Sequence, residues 1–440
     1  MSKTFFPGGV HLKDNKEKTR DIPVELLKDP EMVSIPMSQH LGKPAKPIVQ
    51  VGDKVKIGQL IGEAQGEFSA NVHASISGEV VSIATVPHPV LIEDTAVTIQ
   101  NDHLSEWFQT PSINQKNTLF SRDEILSIIK SNGIVGMGGA TFPTHIKLNP
   151  KNHPIDLLII NGAECEPYLT CDYRLLLEQT DALFNGIKTI LQVLPVKQVL
   201  IGIEENKPEA IEHLRKQVEK YEFSAHISIE SLKEKYPQGA EKNLIFALSK
   251  RTVPVGKLPF DIGVVVQNVA TVIAIYEAMY LQKPLIDRVV TVTGFGIRTP
   301  KNIRVKIGTP VRELIEYCQG NIEDIGKVIF GGPMMGIAVR SLNTPIMKGT
   351  SGVLLMEGNH QAKESFCIRC GKCIENCPSG LMPVKIAEAV KIEEFSQYEK
   401  LFVTSCVECG VCSYNCPAAI PLLNYIRFAK AEYIKRRSQQ

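Results

Sequence analysis

Residues 367–378 read CIRCGKCIENCP, and residues 406–417 read CVECGVCSYNCP. Each copy spaces four cysteines as C-x2-C-x2-C-x3-C and sets proline directly after the fourth. Thiolate sulfur is a soft ligand, and four thiolates in a tetrahedral array suit iron–sulfur clusters or zinc. A structural zinc site draws on two C-x2-C pairs separated by a long spacer. Here three cysteines fall within seven residues, so the backbone must wrap tightly around a cube-sized object.

Spacing and duplication together match the bacterial ferredoxin run, in which the fourth cysteine of each copy ligates the other copy's cluster. On that rule Cys367, Cys370, Cys373 and Cys416 hold one 4Fe–4S centre, and Cys406, Cys409, Cys412 and Cys377 hold the second. Neither half closes its cluster alone, which accounts for the repeat. Two clusters make this segment an electron wire. Cys165, Cys171 and Cys318 are scattered and read as small buried hydrophobes.

Composition sets the bounds. A chain of 440 residues has room for two to four domains, and 43% hydrophobic with 22% charged residues is ordinary for a globular protein. A formal charge of +2 gives no reason to expect a nucleic-acid partner. No apolar run approaches the roughly 20 residues that a spanning helix needs, and Met1 opens into polar sequence without a signal-peptide pattern. The expectation is a cytosolic protein free to dock on a membrane complex. Eleven cysteines in a reducing compartment argue for metal ligation rather than disulfides.

Four regions follow from pattern. Residues 1–117 are rich in valine, isoleucine, glycine and proline with turn signals, and are expected to be mostly strands. The segments IVQVGDKVKIGQLIGEA and VHASISGEVVSI resemble the two halves of a biotinyl/lipoyl-type barrel. Such barrels carry a modifiable lysine on the turn between the halves; here that turn reads QGEFSAN, without lysine. A structural barrel with no swinging arm is expected. Over 118–285 the period changes. SRDEILSIIKSN has helical spacing behind a Ser121 cap, IDLLIING reads as a buried strand, VKQVLIGIEE and NKPEAIEHLRKQVEK as strand and helix, AHISIESL as a strand, and ATVIAIYEAMYLQ as a helix. This alternation predicts an α/β layer on a parallel sheet. Residues 286–350 suggest a small α+β unit. Residues 351–440 carry the cysteines and end in an amphipathic, basic helix, where IPLLNYIRFAKAEYIKRR offers both a core-covering face and a basic tail for interaction.

The α/β region holds a second chemical pattern, GIVGMGGATFPTHIKL at 133–148. Gly136, Gly138 and Gly139 let the backbone bend tightly and approach a flat or phosphorylated ligand. The spacing is not the Rossmann fingerprint, and no strand leads into it. Strand IDLLIING runs into AECEPY, which sets Asn161, Glu164 and Glu166 at the strand's C-terminal end, where open α/β sheets bind ligands. Two glutamates beside an asparagine suit hydrogen bonding to a ribose or a ring.

The glycine loop, NGAECEP and QNVAT at 267–271 resemble the flavin- and NADH-binding subunit of respiratory complex I. The order of barrel, flavin domain, SLBB-like unit and di-cluster ferredoxin, with the opening FFPGGVHL and VKIGTPVRELI, resembles the RnfC family of the Rnf (Rsx) electron transport complex. The resemblance implies FMN held at Gly136, Gly138 and Gly139, with Lys147 near its phosphate or the nicotinamide cofactor. Phe142 would stack on the adenine of NADH, Glu166 would hold its ribose, and Asn161, Asn268 and Thr271 would hydrogen-bond the flavin. Glu241 falls where complex I has a paired carboxylate. Met137, Ala163 and Ala240 depart from that pattern, standing in place of arginine, aspartate and a second glutamate. The implied role is a splitter that exchanges two electrons with NAD(H) at FMN and feeds single electrons through two 4Fe–4S clusters to membrane and ferredoxin-like partner subunits, on the cytoplasmic face of an ion-translocating complex. No acid–base residue is implied. A cobalamin-reductase-like flavoprotein of bacterial microcompartments shares the glycine loop and both cluster motifs. A flavin-free iron–sulfur adaptor is the reading from a different class.

Overall fold

The three expected strands that alternate with helical pattern pair into one parallel sheet, joined by a fourth strand, Val264–Asn268, that sequence pattern does not single out. In this computed structural model, which describes residues 5–109, 120–151, 153–321, 326–358 and 363–437, the sheet order is Ile227–Leu232, Gln198–Glu204, Leu157–Asn161, Val264–Asn268. Near-continuous apolar sequence in these strands matches burial on both faces. Leu158 and Ile160 point into a core with helices Cys171–Glu178, Thr180–Val193 and Val269–Tyr280, whereas Leu157 and Ile159 pack with Leu244, Ile245 and Ala247 of helix Glu241–Ser249. Helix Arg122–Ser131 begins at the expected cap: Glu124 N–H donates to the Ser121 side chain, and the Glu124 carboxylate accepts the Ser121 N–H at 2.7 Å. Local pattern singles out neither helix of 171–193 nor helix Glu241–Ser249.

The barrel closes two antiparallel sheets over Val33, Ile35, Ile61, Ile76, Val97 and Ile99, all buried. Its long hairpin is Gly78–His88 with Ile92–Asn101. The α+β unit is a six-stranded sheet that crosses both expected boundaries. Strand Val24–Leu26 joins it in parallel to Lys301–Lys306, and strand Gly352–Met356 lies between Asp287–Gly294 and Lys327–Phe330. Residues 24–26 therefore serve this sheet rather than the barrel, and the sheet extends past residue 350.

Residues 5–23 form no strand of the barrel and instead run as an arm between the α/β layer and the cysteine region. Gly9 N–H donates to the Asn376 carbonyl at 2.9 Å, and Val10 bridges Tyr236 in both directions at 2.8 Å. Gly8 and Gly9 hold φ of +69° and +76°; a Cβ on Gly9 would stand 2.5 Å from the Tyr236 carbonyl oxygen. Only glycine fits so close an approach at that backbone angle. Further along, the buried Lys16 ammonium donates to the carbonyls of Glu164 at 2.9 Å, Glu166 at 3.0 Å, and Leu169. The C-terminal region is helical, and its last helix, Leu422–Arg437, buries Leu422, Ile426 and Ala429 against the cysteine core. The basic end of that helix is partly used internally: Arg436 stacks over Phe395 at 3.7 Å and pairs with Glu432 at 3.3 Å.

Candidate electron-transfer site

The two cysteine runs fold alike. Arg369 and Glu408, each two residues past a first cysteine, hold φ of 55° and 56°, and Gly371 and Gly410 both hold 76° at the N-caps of short helices Lys372–Glu375 and Val411–Tyr414. The turn aims N–H groups at sulfur, with Arg369 N–H on Cys367 Sγ at 3.4 Å and Glu408 N–H on Cys406 Sγ at 3.3 Å. Such donors suit a thiolate ligand rather than a bare thiol. One hollow is lined by Cys406, Cys409, Cys412 and, from the other run, Cys377. Burial raises the Cys406, Cys409 and Cys412 thiols, and the charge of Cys377 adds to the rise at each. Burial likewise raises Cys373, and Cys416 and Cys367 add to it. Thiols from the two runs thus mix in both groups, and the four soft donors around the hollow with Cys377 fit a 4Fe–4S cluster. The two sets differ in exposure: Cys409 and Cys412 are buried, Cys367 and Cys370 exposed.

The glycine loop lies against the C-terminal end of the edge strand Val264–Asn268, where Asn268 is the register partner of Asn161 on the neighbouring strand. Met137 N–H donates to Thr271 Oγ1 at 2.8 Å, and Gly136 N–H donates to the Phe142 carbonyl at 2.9 Å. A Cβ on Gly138 would press on Asn268 at 3.2 Å, whereas one on Gly139, at φ +123°, would meet nothing within 4 Å. Gly138 thus allows the loop to pack on Asn268, and Gly139 faces open space. Asn268 caps helix Val269–Tyr280 through Ala270 N–H at 2.9 Å and donates to Asp172 Oδ2 at 2.6 Å. Asn161 donates to the Gly239 carbonyl at 2.8 Å, and Lys147 pairs with Glu241 at 2.6 Å. Backbone at the open Gly139, the N-terminal turn of helix Val269–Tyr280 and the Lys147 ammonium are donors of the kind that the phosphate and ring of FMN need.

The glutamates face elsewhere. Glu164 accepts the N–H of Asp172 at 2.7 Å and of Tyr173 at 3.2 Å, so it caps helix Cys171–Glu178. Burial, and then Glu164, push the Asp172 carboxyl up to about 7. Glu166 accepts from Met335 N–H at 2.8 Å, Met334 N–H at 3.1 Å and Tyr236 O–H at 3.2 Å. Three of its roughly four lone-pair positions are taken, so the expected two-point grip on ribose is not open in this arrangement. Its contacts instead join the α/β layer to the six-stranded sheet, and Tyr236 O–H also lies 2.9 Å from the Cys409 carbonyl. Sequence pattern does not reveal Tyr236, Asp172 or Lys16, because their partners are far away along the chain. Of the three scattered cysteines, Cys171 and Cys318 are buried, and Cys165 Sγ accepts Gly239 N–H at 3.3 Å.

Residues 4–104 match the RnfC barrel sandwich hybrid domain, 129–277 the Nuo51 FMN-binding domain, 289–338 the SLBB domain and 366–420 the 4Fe-4S dicluster domain. Fold and site together define a flavin- and iron–sulfur-type electron-transfer protein with the domain order read from the sequence. Three curated relatives are more particular. The C-type component of the proton-translocating ferredoxin:NAD(+) oxidoreductase complex of Clostridium ljungdahlii is 48% identical over 86% of this chain and 82% of its own length. Its counterpart in the Na(+)-translocating complex of Acetobacterium woodii is 44% identical over 98% of each. The corresponding component of the ion-translocating oxidoreductase complex of Rhodobacter capsulatus is 41% identical over 98% of this chain and 84% of its own. The chain belongs to the RnfC family. An NAD+-reducing NiFe-hydrogenase in the H2-reduced state shares the fold, with a TM-score of 0.50 and 17% identity over 71% of this chain and 63% of that one.

Proposed function

We propose that this chain is the NAD(H)-linked electron-transfer subunit of an ion-translocating ferredoxin:NAD oxidoreductase complex. Its FMN, when bound, supplies exchange between a two-electron hydride carrier and one-electron carriers, and its two 4Fe–4S centres supply the latter, ending at partner subunits. The chain's own residues hold and order these groups. Gly136, Gly138 and Gly139 bring backbone to the flavin, Asn161, Asn268 and Thr271 set polar atoms beside it, and Lys147, paired with Glu241, places positive charge near phosphate. Phe142 offers an aromatic face to the nucleotide. Glu164 and Glu166 act one step behind, as a helix cap and an inter-domain clasp.

One observation carries the reading. Cys409, buried with Cys412, is tied through Tyr236 to the α/β layer that carries the glycine loop, while Cys367 and Cys370 of the other set are exposed. A chain so arranged has an inner and an outer cluster, which suits transfer between a nucleotide site and an external partner. Docking on the cytoplasmic face of the complex would be peripheral: among the described residues no helix is long and apolar enough to cross a membrane. The cobalamin-reductase-like and flavin-free alternatives are not favoured, since the relatives bear the oxidoreductase-complex name and the FMN-binding domain is matched.

Anaerobic reconstitution with iron, sulfide and FMN tests the proposal. The expected product carries about eight irons and one flavin, and NADH bleaches flavin and cluster absorbance together. Eight irons with no flavin would restore the adaptor. Mild-detergent co-purification with membrane subunits tests the docking.

A further inference from the structure

The turn that would bear the lysine of a swinging-arm barrel, QGEFSAN at 65–71, is fastened to the flavin domain instead of reaching into solvent. Asn71 donates from Nδ2 to the Ser131 carbonyl at 3.1 Å, and its own carbonyl accepts Lys348 Nζ at 2.8 Å. The same ammonium reaches the Gly133 carbonyl at 2.8 Å, at the mouth of the glycine loop. Leu41 N–H donates to the Thr141 carbonyl at 3.1 Å, and Glu67 pairs with Lys151 at 3.1 Å. Within the barrel, Ser69 Oγ donates to the Lys43 carbonyl at 2.8 Å, and Lys43 N–H returns to the Phe68 carbonyl at 2.9 Å. Gly42 makes room for this: at φ +123°, a Cβ there would stand 2.1 Å from the Phe68 carbonyl oxygen.

At the tip of this fixed turn the Phe68 ring is 53% exposed. It meets Phe142 edge-on, with centroids 6.1 Å apart and planes at 73°. Phe142 belongs to the glycine loop, three residues past Gly139, whose Cβ direction is empty. Here the backbone is bonded on both sides, and the ring stands half open beside a second aromatic at the edge of the flavin cradle.

We propose that the barrel completes the nucleotide pocket, with Phe68, set edge-to-face against Phe142, as the second aromatic side of a corner that takes the adenine of NAD(H). The proposal rests on the NAD(H) reading above. An edge-to-face pair leaves a face of one ring free beside the edge of the other. A flat, uncharged base fits that corner, as aromatic side chains stack on any base irrespective of its hydrogen-bonding edge. The barrel is then a fixed part of the nucleotide site, and the position elsewhere used for a tethered cofactor holds a side chain for a diffusible one.

The test uses the full chain loaded with FMN and clusters, with ferricyanide as acceptor and two donors: NADH, and reduced nicotinamide mononucleotide, which lacks the adenylate half. Phe68→Ala is expected to raise the NADH KM about tenfold, with kcat, flavin and iron content held. The KM of the mononucleotide stays where it was, and Phe68→Tyr returns NADH to the parent value. Parent protein oxidising both donors, with Phe68→Ala leaving the NADH KM unchanged or shifting both donors equally, overturns the adenine corner alone. Parent protein oxidising neither donor overturns the NAD(H) reading and this proposal together.

Discussion

Cys377 separates the crossed arrangement from an uncrossed one. It lines a hollow with Cys406, Cys409 and Cys412 although it belongs to the other run. Cys377→Ser is therefore expected to cost the inner cluster, leaving about four of eight irons and the electron paramagnetic resonance signal of the Cys367 set. Loss of the Cys367 signal with the other intact sinks the crossed assignment. Glu166 gives a second test at this scale. The Met334 and Met335 N–H groups bond different oxygens of the carboxylate, so an amide in its place turns one acceptor into a donor against one backbone N–H, and one unpaired buried donor costs about 1–3 kcal/mol. Glu166→Gln should lower the thermal midpoint and speed hydrogen exchange at Met334 and Met335, with FMN retained. Unchanged exchange there would show the clasp to be idle. Cluster cysteines are legible in the sequence because their spacing is local chemistry. The orientation of Glu166 is not, because Met334 and Met335 decide it from 168 and 169 positions away.

Elements show the same division between local and distant causes. The capping box at Ser121 and Glu124 and the buried strand at 157–161 write themselves in adjacent residues, and both form as expected. The opening FFPGGVHL is visible as a motif, yet its work depends on Asn376 and Tyr236. A methyl group on Gly9 would have to be carried at a φ of +76° and would stand 2.5 Å from the Tyr236 carbonyl oxygen. Gly9→Ala should thus strain the arm by about 1–3 kcal/mol. The expected result is faster amide exchange at Val10 and Tyr236 and cleavage of the arm by low protease, with the barrel protected. An arm as resistant as the parent's would mean that its seat does not need glycine. The first strand of the six-stranded sheet escapes a sequence reading for a related reason: residues 24–26 carry too short a pattern to reveal a partner near residue 303.

For the whole molecule, the barrel–flavin seam sets an acid limit. Burial, and then Lys348, hold the His73 imidazole down at about 3. Above about 6.5 neither state protonates it. Between there and about 3 only the unfolded chain takes the proton, so stability falls on acidification by at most about 1.4 kcal/mol per pH unit. His73→Asn should flatten the fall in thermal midpoint as pH drops below about 6.5; a parallel curve would place the acid sensitivity elsewhere. The order of four domains is legible because each has its own pattern, whereas the seams between them have none. The arm has a final consequence, in the order of events during synthesis. Residues 6–10 leave the ribosome long before Tyr236 and Asn376, and domains tend to fold as they emerge. The seat of the arm does not exist until the cysteine region has been made and has closed around its inner cluster. Arm docking should therefore report cofactor insertion, and a chain starved of iron should be recognisable to proteases by its loose beginning.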